Sequence, residues 1–361
     1  MKVVFRWYGE GFDTITLEQI RQIPYVEGVV GALFDVPVGE IWPMEKIINL
    51  KKKIENVGLK LEVIESVNVH EDIKLGLPTR DHYIENYNAT IENLAKAGVK
   101  VIVYNFMPVF DWIRTDLAKK LEDGSEVMEY DHKKIEGITP SKLVEMVKTN
   151  SQGFVLAGWD WKRLKELDRL MKLYEKVDED KLFSNLIYFL ENVIPVCEKY
   201  GVKLAIHPDD PPFSVFGLPK IVTCREKIEK ILRAVDSPYN GLAFCTGSLG
   251  ANEENNLPEM IRYFGKMKRI HFVHLRNLKI LSRGHFYESA HPSLYGSLDM
   301  FELVKALYDT GFDGYMRPDH GRTIWNERAR PGYGLYDRAL GITYLMGLWE
   351  AVDKMSKRYC S

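Results

Sequence analysis

Cysteine is scarce in this chain. Four residues among 361 (Cys197, Cys224, Cys245 and Cys360) include no CxxC pair, so a disulfide framework is not expected and a reducing cytoplasm suits the protein. No run of about 18 apolar residues occurs, and Met1–Arg6 opens without an apolar signal core; neither membrane insertion nor export is expected. Charge of one sign is not in excess: 49 basic residues face 51 acidic ones, for a net charge of −2. Nothing in that balance steers the chain toward nucleic acid or an anionic membrane. There is no GxGxxG after a strand, no P-loop, no GxSxG elbow and no HExxH, so nucleotide-dependent and serine-hydrolase chemistries lack their usual signatures. A Pro/Gly/Ser-rich linker is also missing, and one domain is expected over residues 1–361.

What is present reads as an alternating β/α protein with enough apolar material for a large core (45% apolar, 28% charged). Short β-branched or aromatic runs predict strands at Val3–Tyr8, Gly28–Leu33, Lys60–Ser66, Lys100–Asn105, Lys203–His207, Gly241–Cys245, Arg269–Leu275 and Gly314–Pro318. Between them, Pro43–Asn56, Asp81–Ala97, Phe183–Tyr200, Glu226–Val235, Pro258–Lys266 and Asp299–Asp309 have helical spacing. Four helix exits, "NVGLK", "KAGVK", "KYGVK" and "DTGFD", place a Gly where the chain leaves a helix for a strand. The expected architecture is a (β/α)8 TIM barrel. Its largest departure from a minimal barrel is Pro108–Asp180, an insertion after the fourth strand in which two expected helices carry Trp112, Trp159 and Trp161. It belongs on the catalytic face, as a lid or a dimer contact.

Four consecutive strand ends, the fifth to the eighth, finish in potential metal ligands: His207 in "LAIHPDD", Cys245 in "LAFCTGS", His274 in "IHFVHLRN" and Asp319 in "YMRPDHGR". Singly, each has an ordinary structural explanation. Jointly, two imidazoles, a thiolate and a carboxylate at one rim suit Mn²⁺, Fe²⁺, Co²⁺ or Zn²⁺ better than Ca²⁺ or Mg²⁺. His271 has the opposite strand parity to His274 and is expected to be structural. Beside Asp319 stand His320 and the loop "RPGYGLYDR", which offers Tyr333 and Tyr336 for acid–base work. Arg6, Asn105, Arg276, Asn277 and Arg317 lie at or just past strand ends, where they could hold a carboxylate and hydroxyls; His70 is placed similarly.

At these residues the sequence resembles the D-mannonate dehydratase family of the xylose-isomerase-like barrel superfamily. The resemblance spans the chain and rests on "FRWYG", "VIESVNVHEDIKLG", "YNFMPVFDW", "LAIHPDDPP", "FCTGSLGA", and "MRPDHGR" followed by "GYGLYDRALGITYLMGL". It implies dehydration of D-mannonate to 2-keto-3-deoxy-D-gluconate with Mn²⁺, Fe²⁺ or Co²⁺, as a step of hexuronate breakdown. It implies metal ligation by His207, Cys245, His274 and Asp319, the set already selected from the strand ends. The acid–base pair falls on His320 and a tyrosine of the "GYGLY" loop, Tyr333 or Tyr336, with the two roles unassigned. Substrate contacts are expected from Arg6, Asn105, Arg276 and Arg317. The expected partner is a small sugar acid, not nucleic acid or membrane, and a homo-oligomer such as a dimer is expected. Rival readings are a sugar isomerase of the same barrel class, a non-catalytic sugar-acid or metal binder, and a metal-dependent phosphodiesterase.

Overall fold

The computed structural model describes residues 1–151, 153–154 and 166–358. In chain order its strands are β1 (Lys2–Arg6), β2 (Val26–Gly31), β3 (Lys60–Glu65), β4 (Val101–Tyr104), β5 (Asp116–Lys120), β6 (Glu126–Asp131), β7 (Lys203–Ile206), β8 (Asn240–Cys245), β9 (Ile270–His274), β10 (Leu278–Ser282), β11 (His285–Glu288) and β12 (Tyr315–Arg317). Eight of them close a parallel barrel in the order β1-β12-β9-β8-β7-β4-β3-β2. This is the expected (β/α)8 architecture, and every expected strand overlaps an observed one. Gly58, Gly98, Gly201 and Gly311, the four helix-exit glycines, adopt φ between 66° and 91°, the left-handed turn that ends a helix without a Cβ clash.

The barrel has two apolar compartments. Residues pointing outward from the strands pack against the surrounding helices. Val4, Val30, Val63, Val101, Val103, Ala205, Ala243, Phe272 and Tyr315 form a separate cluster in the interior, where β sterics alternate successive side chains between the two faces. Register aligns the C-terminal ends: Cys245 pairs with His274 across β8 and β9, and Arg317 pairs with His274 across β12 and β9.

The insertion contains the helices Pro140–Asn150 and Leu167–Tyr174, neither of which carries the tryptophans of the two expected helices. Trp112 lies in irregular chain before β5, and Trp159 and Trp161 fall outside the described residues. Its hairpin, β5–β6, was not expected: "DLAKK" and "EVMEYD" carry too much charge to read as strands. They form a four-stranded antiparallel sheet, β10-β11-β6-β5, with a second hairpin that follows β9. The closing helix Leu335–Arg358 was likewise not expected. "LYDRALGITYLMGLWEAV" is apolar nearly all round and shows no clear amphipathic stripe.

Ala205 and Ala243 are fully buried, one inward position below His207 and Cys245. Ala243→Leu should overfill this layer and cost about 1–3 kcal/mol, read as a lower thermal midpoint. An unchanged midpoint would contradict the tight interior described here.

Candidate metal centre and active site

The rim of the barrel follows from the same alternation. Two residues beyond the interior cluster, each strand presents its next inward side chain: Arg6, Ala32, Glu65, Asn105, His207, Cys245, His274 and Arg317, with Asp319 two residues further. Seven of these nine line a cavity of about 520 Å³, together with Tyr8, His70, Trp112, Asp210, His320, Arg330 and Tyr333. Cys245 and His274 lie beneath it, fully buried.

His207, Cys245, His274 and Asp319 bring one ligand atom each to within 4.8 Å of one another. The outer contacts of the two imidazoles orient them. His207 Nδ1 donates to the Pro208 carbonyl at 2.7 Å, which aims Nε2 into the cluster. His274 Nε2 faces Glu65 Oε1 at 3.3 Å, which aims Nδ1 the same way. These two nitrogens face each other at 3.2 Å, so all four donors converge on one point. Cys245 Sγ lies 3.5 Å from Asp319 Oδ2. Burial opposes ionisation of Cys245, but the Arg276 charge and hydrogen bonds from His207 and His274 outweigh it and hold the thiol well below its usual range. Burial likewise opposes a charge on His207, yet its hydrogen bond to Cys245 and that thiolate's charge push it up to about 9. Imidazole, thiolate and carboxylate donors together fit a borderline divalent ion.

The two residues expected to do acid–base work sit against this cluster. His320 Nε2 is 2.9 Å from the Tyr333 hydroxyl, and His320 Nδ1 is 3.2 Å from Glu288 Oε1. Tyr333 is buried; burial, reinforced by Tyr8 and Asp319, raises its phenol well above the usual range and keeps it protonated. Tyr336 instead points outward, 41% exposed, with its ring 5.5 Å from Trp325.

The expected substrate contacts divide. Arg6, Asn105 and Arg317 line the cavity. Arg317 is also bonded to Glu65, 2.9 Å from Nε to Oε2, and lies 2.7 Å from Asp319 Oδ1. Arg276 does not reach the cavity. Its guanidinium is surrounded by Glu288, Asp210 and Asp319, and it passes so close to Gly247 that a Cβ there would overlap it. Asn277 ties down backbone, accepting from Leu278 and Leu298 N–H groups. His271 is buried on the outer face and bonded to the Leu204 carbonyl at 3.1 Å, with burial first and Lys203 second holding it down to about 3. His70 caps the helix Glu71–Leu75 and stacks on Tyr83 at 3.6 Å.

Sequence reasoning missed Glu65, Arg114, Asp210, Glu288 and Arg330. The alternation in "LEVIES" could have exposed Glu65, since Val63 and Glu65 share the inward face. Asp210 was inside a quoted motif. Arg114 and Glu288 had no signal, because Arg114 just precedes, and Glu288 ends, a strand of the unexpected sheet.

A family model for D-mannonate dehydratase (UxuA) matches residues 1–359. The chain is 72% identical to the mannonate dehydratase of Thermotoga petrophila over 360 residues, covering 100% of both. It is 56% identical to that of Geobacillus thermodenitrificans over 358 residues, 99% of this chain and 96% of that one. A crystal structure of the mannonate dehydratase from Streptococcus suis serotype 2 superposes with a TM-score of 0.90 at 45% identity, covering 99% of this chain and 96% of that one. A xylose isomerase domain protein from Planctomyces limnophilus shares the fold alone, with a TM-score of 0.56 at 12% identity and coverage of 98% and 99%. On matches that run the length of the protein, the chain belongs to the D-mannonate dehydratase family, carbon–oxygen lyases that remove water.

Proposed function

We propose that the protein dehydrates D-mannonate to 2-keto-3-deoxy-D-gluconate, with Mn²⁺ held by His207, Cys245, His274 and Asp319. Fe²⁺ or Co²⁺ suits the same donors. The observation that carries this reading is the His320–Tyr333 pair, 2.9 Å apart and lining the same cavity as His207 and Asp319. A sugar-acid carboxylate would meet Arg6, Asn105 and Arg317 there. Arg6 donates to the Val30 carbonyl at 3.1 Å and, among the described residues, has no carboxylate within ion-pair distance, so its remaining donors suit a ligand anion. Arg276, in contrast, orients Asp319.

Taking the C2 proton of a 2-hydroxy acid builds negative charge next to a carboxylate that is already charged. A divalent ion bound at the four ligands would supply Lewis-acid stabilisation of that charge. His320 and Tyr333 divide the remaining work. One removes the C2 proton, and the other delivers a proton to the departing C3 hydroxyl, which leaves as water; the enol then becomes the 2-ketone. Tyr333, kept protonated by its surroundings, is suited to donate, and His320 Nε2, which accepts from that phenol, is suited to receive. We take residues 1–361 as one domain with the insertion 108–180 on its catalytic face, supported by Arg114 reaching Asp210 and Glu288. A homo-oligomer acting in the cytoplasm on hexuronate-derived acids completes the reading.

Incubation of the Mn²⁺-loaded protein with D-mannonate should give a keto acid lighter by one water, and a chelator should abolish it. Isomerisation without mass change would favour a sugar isomerase. His320→Gln and Tyr333→Phe should each lower kcat by about 10²–10⁴-fold while metal content by elemental analysis stays unchanged; near-normal turnover in either would remove that residue from the chemistry. Cys245→Ser should retain the fold yet weaken Co²⁺ binding in an equilibrium titration, because a hydroxyl is a poorer donor than a thiolate.

A further inference from the structure

Two arginines and two carboxylates form a closed buried ring behind the metal group. Arg114 NH1 and NH2 bond Asp210 at 2.7 and 3.0 Å, and Arg114 NH2 bonds Glu288 Oε1 at 2.6 Å. Arg276 NH1 bonds Glu288 Oε2 at 2.5 Å, and its NH2 bonds Asp210 Oδ2 at 2.8 Å. The charges cancel within the ring, and all four side chains are at most 3% exposed. Glu288 has one further contact, His320 Nδ1 at 3.2 Å.

We propose that Glu288 is a positioning residue for the acid–base pair: its carboxylate, delivered from outside the barrel by β11, holds the proton of His320 on Nδ1. The geometry supports this in two steps. An ionised carboxylate can only accept, so the imidazole nitrogen facing it must carry hydrogen. Nε2 is thereby left bare toward the Tyr333 hydroxyl at 2.9 Å, and the opposite tautomer would set a lone pair against Glu288. Arg114 and Arg276 occupy both oxygens of Glu288, so the carboxylate cannot turn away. When His320 gains a proton at Nε2 during turnover, the same carboxylate offsets the new charge, as the acid does in Ser-His-Asp triads. The inference rests on the assignment of His320 and Tyr333 made above. It adds that the insertion and the second hairpin, through Arg114 and Glu288, act on the chemistry by positioning His320.

The test is Glu288→Gln in the full chain, with Co²⁺ absorption as the report on the metal centre. The amide nearly preserves shape but loses the charge. The expected result is a kcat lower by about 10²–10⁴-fold with KM changed by less than about threefold, and an unaltered Co²⁺–thiolate spectrum. Glu288→Asp should recover at least about tenfold of that loss. In the zinc-loaded protein, the downfield proton resonance of a carboxylate-bound His320, identified by its disappearance in His320→Gln, should be present in the parent and lost in Glu288→Gln. Wild-type kcat in Glu288→Gln would overturn the proposal, and so would activity lost only together with the Co²⁺ spectrum, which marks a purely structural role. Full activity in His320→Gln would instead refute the underlying acid–base assignment.

Discussion

Successive side chains of a strand point to opposite faces, and in a closed parallel barrel this places every second residue on the axis. The rest of the molecule depends on that constraint. Valines, alanines, Phe272 and Tyr315 fill the interior, and the next inward position on each strand arrives at the C-terminal rim with nowhere to go but into the cavity or its floor. Small residues at 205 and 243 leave His207 and Cys245 room to sit low, while the rim position following β2 is the small Ala32. Ligands from four neighbouring strands then converge without any one segment having to bend toward the others. His274 is flanked in register by Cys245 and Arg317.

The metal group is held together by its surroundings as much as by its ligands. Pro208 and Glu65 fix the two imidazoles, Arg276 and Arg317 each hold one oxygen of Asp319, and Ser248 lies 3.1 Å from the Cys245 sulfur. Each outer contact leaves the donor atom aimed inward. The negative charge gathered by Cys245, Asp319 and Glu65 is partly balanced by the two arginines, and the inward nitrogens of His207 and His274 face each other at 3.2 Å.

This organisation explains what could be read from the chain alone. The barrel strands were legible because burial on both faces makes them short apolar runs, and the four candidate ligands stood out because each ends or closely follows such a run: Ala205-x-His207, Ala243-x-Cys245, Phe272-x-His274, and Tyr315-x-Arg317-x-Asp319. Glu65 obeys the same rule after Val63, but its run, "LEVIES", also carries Glu62 and reads as a charged strand edge. Arg276 seemed equivalent to Arg317, since both lie at or just beyond a strand end. Arg317 is the last residue of β12 and stays inward, whereas Arg276 lies two residues past β9, where strand alternation no longer governs it, and its guanidinium turns to Asp210, Glu288 and Asp319. Glu288 and Arg114 were illegible for a different reason. Their positions are set by pairing between β6 and β11, segments more than a hundred residues apart whose charged sequences resemble surface loops.

The buried ring that these two residues complete is hard to explain as a source of stability. Four charges taken out of water incur desolvation costs that their mutual attraction only roughly offsets, and apolar replacements of similar volume are often no worse; removing one member of such a set, however, costs about 3–5 kcal/mol. A ring of this kind therefore fixes geometry more than it adds free energy. Its contacts fall on Asp319 through Arg276, on Cys245 through Ser248 and on His320 through Glu288, so one rigid element sets the relative placement of two candidate metal ligands and the proposed acid–base histidine. Two of its members, Asp210 and Arg276, come from loops at the barrel rim, and the other two come from outside the barrel. A minimal (β/α)8 barrel could present the ligands, but it could not hold His320 in this orientation; the flanking sheet supplies that constraint.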